Sequence, residues 1–347
     1  MHSSSGRFAA ILSAWLCSLA CISACTIPVF RYALDRWQAD PYRLEFPADA
    51  IKDGQLAEFF RNLGSASPVN LEAKPGTATE ARLLFPHAEE ATVPAVWTGS
   101  LTPASLKALT DSPLRRDLAQ RILAGESIVW VLVESGDQAA DDATAARVEK
   151  RLRYLEQVAI LPRIDPNDPT SRLGPGPALR VKFSLLRLTR GNPAEEHLLK
   201  MLAGPKAEAG LNSGAWLAAV FGRGRTLGAW PAADFGDMEI EEVCLFLLGA
   251  CSCQVKRQNP GWDLLMNVAW DEELEAVAEK QASADAKADQ PPPLAAEPEP
   301  VTVSIQPQAT AAAPASPAPT GTPWPLMWIA AGFALVMGLW AARAGRP

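Results

Sequence analysis

The stretch SIVWVLVES, Ser127–Ser135, limits the folds open to this chain more than any other. A nearly unbroken apolar run of strand length, rich in β-branched residues, reads as a strand buried on both faces, and such a strand needs a covering layer on each side. The sequence around it supplies those layers. DDATAARVEKRLRYLEQVAIL predicts a long helix opened by acidic caps at Asp141 and Asp142, with Val148, Leu152, Leu155 and Val158 along its apolar stripe. LRVKFSLLRLT, Leu179–Thr189, alternates as a strand does, and PAEEHLLKMLAG, Pro193–Gly204, reads as a short helix. WLAAVFGRGRTLGAW, Trp216–Trp230, reads as a hairpin turning at Gly222–Gly224 with Arg223 and Arg225 exposed. MEIEEVCLFLLG, Met238–Gly249, reads as a closing helix with Gly249 as its left-handed terminator. The fold class expected is α/β.

The first half has a partly similar order. Helices are expected over Phe30–Trp37 and Gly54–Gly64, the latter with Leu56, Phe59, Phe60 and Leu63 on one face. Strands are expected over Tyr42–Phe46, Val69–Ala73 and Val93–Leu101. Thr102-Pro103 and Ser112-Pro113 then open two further helices, ending at Gly125.

From Ser127 the order is strand, helix, strand, helix, strand, strand, helix, which resembles the thioredoxin-like fold over residues 126–255, with residues 26–125 as a degenerate companion. Two departures accompany the resemblance. The region after the first strand, SGDQAADDATA, has no Cys-x-x-Cys, and the third strand carries Ala218 and Ala219 with no cis-proline before it. The resemblance therefore implies the scaffold without its usual redox site. CTIPVFRYALDRW, VFGRGR and CSCQVKRQNPGWDLL also resemble a family of uncharacterised bacterial envelope proteins, with which no activity comes.

The two ends say where such a body would work. An apolar run from Phe8 to Cys25 reads as an export signal, and Ile22-Ser23-Ala24-Cys25 is similar to a lipobox, which would acylate Cys25. WPLMWIAAGFALVMGLWAA, Trp324–Ala342, carries no charge and is long enough to span a bilayer. Arg343 and Arg346 place the short tail 343–347 in the cytoplasm and the body outside. Between body and span, Gln281–Pro323 is rich in Ala and Pro, with little to bury, and is expected to be a disordered tether. The expected organisation is thus signal 1–25, first α/β region 26–125, thioredoxin-like domain 126–280, linker 281–323 and span 324–342. The expected location is a bacterial inner membrane with the body on the periplasmic side. The chain's 347 residues are 48% hydrophobic and 20% charged, enough for a sizeable core. A net charge of −7 without a basic block speaks against nucleic acid as a partner, leaving the membrane and other envelope proteins.

Beyond Cys25, the cysteines are Cys244, Cys251 and Cys253. They can form a disulfide with one thiol left over, a soft-metal thiolate set or a redox centre. Lys256 and Arg257 would lower a neighbouring thiol's pKa, or stand as exposed cations. Histidine adds little: His87 falls in a loop, and His197 reads as a solvated residue on a helix. No cofactor motif and no hydrolase signature occurs. The function expected is a non-catalytic assembly or docking module. The alternative is a helper in thiol redox or in copper or cytochrome maturation, working through Cys244, Cys251 and Cys253.

Overall fold

The computed structural model of the chain describes residues 26–288, apart from 64–66, 78, 88–92, 166, 208, 213 and 252–254. The signal, the lipobox cysteine Cys25, the span 324–342 and most of the linker lie outside those residues.

Among the described residues the chain forms two mixed sheets with helices around them, an α/β architecture. Helix α1, Val29–Arg36, comes first. The first sheet is built from β1 (Tyr42–Pro47), β2 (Leu71–Gly76), β3 (Ala81–Leu84) and β4 (Trp97–Gly99), in the order β2-β1-β3-β4. β1 runs parallel to β2 and antiparallel to β3, and β3 runs antiparallel to β4. Helix α2, Gly54–Asn62, joins β1 to β2, capped by the Asp53 carboxylate, which accepts from the N–H groups of Gln55 and Leu56. Helices α3 (Pro103–Thr110) and α4 (Pro113–Leu123) follow, capped by Thr102 and Ser112 as their sequences predict.

The second sheet repeats this order and adds a short strand. β5 is Ile128–Val133, β6 Phe183–Leu188, β7 Trp216–Phe221, β8 Arg225–Pro231 and β9 Trp262–Asp263, ordered β6-β5-β7-β8-β9. β5 and β6 are parallel, and the remaining pairs are antiparallel. Helices α5 (Gln138–Val158), α6 (Glu196–Ala203) and α7 (Asp237–Leu248) connect and close it, and α8 spans Trp270–Ala288. α8 thus carries helix past Lys280 into the stretch expected as linker.

β5 is buried at every position, as its composition requires, and its alternate residues divide two cores. Val129, Val131 and Val133 face a core shared with the first sheet, where they join Leu44, Phe46 and Leu83. Ile128, Trp130 and Leu132 face an outer layer built from α1, α5 and α7. β9 and the segment after it fasten the two sheets together. Tyr42 Oη donates to the Asp263 carbonyl at 2.9 Å, and Asn70 Nδ2 donates to the Leu264 carbonyl at 3.0 Å.

Four expectations need correcting. The α5 cap is Asp137, whose carboxylate accepts from Ala140 N–H, and its apolar stripe stops at Leu155 because Val158 is half exposed. The strand expected over Val93–Leu101 is only Trp97–Gly99, because the chain pairs with β3 for three residues before the Thr102 cap turns it into a helix. β3 itself is absent from the expectations: four residues are too few to write a period. Gly249 is extended (φ −66°, ψ 159°), not left-handed. The chain runs straight out of α7 to pair with the N-terminal segment: Val29 N–H donates to Gly249 C=O at 3.0 Å and Cys251 N–H to Ile27 C=O at 2.9 Å. That pairing supplies partners a left-handed cap would otherwise provide.

Candidate functional site

Cys244 lies on the inner face of α7 and Cys251 two residues beyond the helix's terminal Gly249. Both are buried in the outer layer, and no disulfide joins them. The Cys244 thiol is pushed up to about 12, chiefly by burial. The Trp130 indole N–H reaches toward its sulfur without closing a full hydrogen bond, and offsets only part of that rise. At neutral pH its thiolate is then on the order of one part in 10⁵, so Cys244 is a core residue in its chemistry as well as its packing. Cys253 lies outside the described residues. Among the described ones, no three metal-ligating side chains gather.

The loop between β5 and α5, where the resemblance would put a Cys-x-x-Cys, is closed by a carboxylate. Asp141 turns back from the first turn of the helix and is almost wholly buried. Its oxygens accept from Ser135 N–H at 2.9 Å, Ser135 Oγ at 2.9 Å and Gly136 N–H at 3.0 Å. Burial pushes this carboxyl up, but those three donors hold it below the usual range. The loop is thus a self-satisfied turn.

The two arginines of FGRGR are buried, against expectation. Gly222 (φ 57°) and Gly224 (φ 85°) let the turn lie flat under its neighbours, since a Cβ on either would stand 2.8 Å from Ala33 or Met266. The turn is therefore covered by α1 and by the segment after β9, and both guanidinium groups must find partners inside. Arg223 donates to Leu34 C=O, Gln38 Oε1 and Asp271. Arg225 meets Asp263, donates to the carbonyls of Asn259, Pro260 and Gly261, and stacks over Trp37. Lys256, expected as an exposed cation, pairs with both Asp263 and Asp40 and is mostly covered. Arg257 is exposed. These charges hold the segment after the cysteines against the hairpin. They do not face Cys244, so they do not activate it.

A hollow lies along the edge of the second sheet. β9 is two residues long and covers only Arg225 and Thr226 of β8. Beyond it, a groove of about 570 Å³ follows β8, with Leu227, Ala229 and Trp230 as its floor, Val243 and Phe246 of α7 as one wall and Trp262 at one end. The aromatic parts are held firmly. Trp230 stacks on Phe235 with ring centroids 4.5 Å apart, and Trp262 Nε1 donates to Met201 C=O at 2.7 Å. Lys206 and Glu242 also line it, so its margins carry opposite charges. The ladder fixes which backbone groups face the groove. Ala232 N–H donates to Ala215 C=O, so Trp230 and Ala232 point their backbone groups at β7, while Ala229 and Pro231 point theirs away. The sequence reading missed this groove, because it is made by the shortness of β9, whose two residues leave no pattern.

A scan of family models matches none, and neither a curated protein nor a solved structure matches the chain. Among the described residues no helix is long and apolar enough to cross a membrane.

Proposed function

We propose that this chain is a non-catalytic docking module of the bacterial envelope, in which a thioredoxin-like scaffold serves for binding. The strand order of each sheet, with a parallel first pair followed by an antiparallel hairpin, supports that scaffold, and its repetition supports a tandem pair. The sealed, thiol-free turn at Asp141 and the buried thiol of Cys244 speak for binding over redox chemistry. The observation that carries the reading is the apolar groove at the open edge of β8. The lipobox-like Cys25 and the apolar stretch Trp324–Ala342, both outside the described residues, would hold the body at the membrane.

The test is insulin reduction by the purified full chain in detergent, alongside its Cys251→Ser and Cys253→Ser variants. A docking module leaves insulin disulfides intact in all three. Turnover by the parent chain that disappears in either variant would replace this reading with the thiol-redox alternative.

A further inference from the structure

The docking reading leaves open what is docked, and the edge of β8 narrows it. The outward N–H and C=O of Ala229 form no hydrogen bond among the described residues, while the outward C=O of Pro231 accepts from Asp234 N–H at 3.2 Å and closes that end of the edge. An unpaired strand edge in a groove is a template for another extended backbone. Both ends of the template are marked. β9 occupies the edge up to Thr226, and Pro231 has no N–H with which to extend the ladder. Four residues of edge remain between them, Leu227 to Trp230, roughly 13 Å at strand rise. An added strand points successive side chains to opposite faces. One row would meet Val243, Phe246 and Glu242 on α7, and the other the Lys206 side of the groove. Lys206 and Glu242 thereby set the complementary charges: a carboxylate in one row and a cation in the other.

We propose that the open edge of β8 binds an extended segment of a partner protein as an added strand, with apolar side chains filling the groove, a carboxylate toward Lys206 and a cation toward Glu242. The inference rests on the docking reading and names the mode of recognition at that site. Backbone pairing supplies the sequence-tolerant part of the binding, and the apolar walls and two charges supply the selective part.

The probe is a phage-displayed random dodecapeptide library, selected against the full chain in detergent micelles, with the best binder synthesised for fluorescence anisotropy. The selected sequences are expected to share alternating β-branched or aromatic residues flanked by one acidic and one basic position. N-methylation of alternate backbone amides in the binder should weaken it at least tenfold. So should Phe246→Lys, a surface change that leaves the core alone, and Ala229→Pro, which removes one outward N–H. Failure to select any binder would overturn the inference, as would a binder indifferent to both N-methylation and Phe246→Lys. Two further outcomes would overturn it by naming another occupant. If the full chain refuses peptides that a chain ending at Ala288 accepts, its own later residues fill the groove. If binding is lost as the protein dimerises with concentration, a second copy does. Insulin turnover would end the docking reading without touching the peptide result, and a failed selection would end this inference alone.

Discussion

Arg225 Nη1 lies 3.1 Å from Asp263 Oδ1, with both side chains almost entirely removed from solvent. Asp263 also receives Asp40 N–H at 2.6 Å and pairs with Lys256, so one buried carboxylate fastens the hairpin, the segment before β1 and the segment after the cysteines. A buried pair broken on one side leaves an uncompensated charge, which costs far more than the pair contributes. Arg225→Ala should therefore lower the unfolding free energy by about 3–5 kcal/mol in urea titration. Arg225→Met combined with Asp263→Leu should cost less than the sum of the two single changes. A strictly additive result would mean that the two groups are not coupled in the folded protein.

Cys244 gives a prediction about reactivity. Its raised pKa and its place in the outer layer should leave it unmodified by iodoacetamide at pH 8 in the folded protein. Labelling in urea, followed by peptide mass mapping, should reveal it at once. Native labelling at a rate near that of free cysteine would show that α7 opens readily.

His197 predicts a pH dependence of stability. Burial lowers its pKa below the usual 6.5, aided by Lys200 and Arg115 and opposed by Glu196. Its Nδ1 has no hydrogen-bond partner among the described residues. The folded state thus favours the neutral ring, while the unfolded chain takes up a proton at about 6.5. The resulting stability is complete above that value and is lost as pH falls through the lower, folded pKa. His197→Gln should flatten the decline between pH 7 and pH 5, measured by urea unfolding across that window. An unchanged slope would assign the decline to other groups.

The turn at Asp141 gives a fourth test. Asp141→Ala removes the acceptor shared by the Ser135 hydroxyl and two backbone N–H groups, at a cost of about 1–3 kcal/mol. Asp137→Ala removes only the exposed cap on Ala140 N–H and should cost about 1 kcal/mol. Equal effects, compared by thermal melting, would contradict the burial difference between these two aspartates.

What could be read from the sequence depended on how each element is buried. β5 was legible because a strand covered on both faces must be apolar throughout. The Thr102 and Ser112 caps were legible because their chemistry is local. Arg223 and Arg225 were misread because a glycine-flanked hairpin turn has the same composition whether solvent or α1 covers it. Their cover comes from residues nearly two hundred positions earlier and their counter-charges from positions such as Asp263, so no local pattern records it. Asp141 looked like a cap because an acidic residue near a helix start usually is one. Only the course of the loop turns it back onto Ser135. The groove was invisible for a related reason: it depends on where the sheet stops.

The pairing of residues 27–29 with residues 249–251 also fixes an order of events. The first described residues of the chain find their backbone partners only after some 220 further residues have been made. At about 5–20 residues per second, α1 waits on the order of ten to forty seconds for its seat. During that interval Val29, Phe30 and Ala33 lack the α7 part of the outer layer, so a nascent chain leaves that side of their apolar surface uncovered. The native seat of the opening helix is therefore complete only once residues 249–251 are in place.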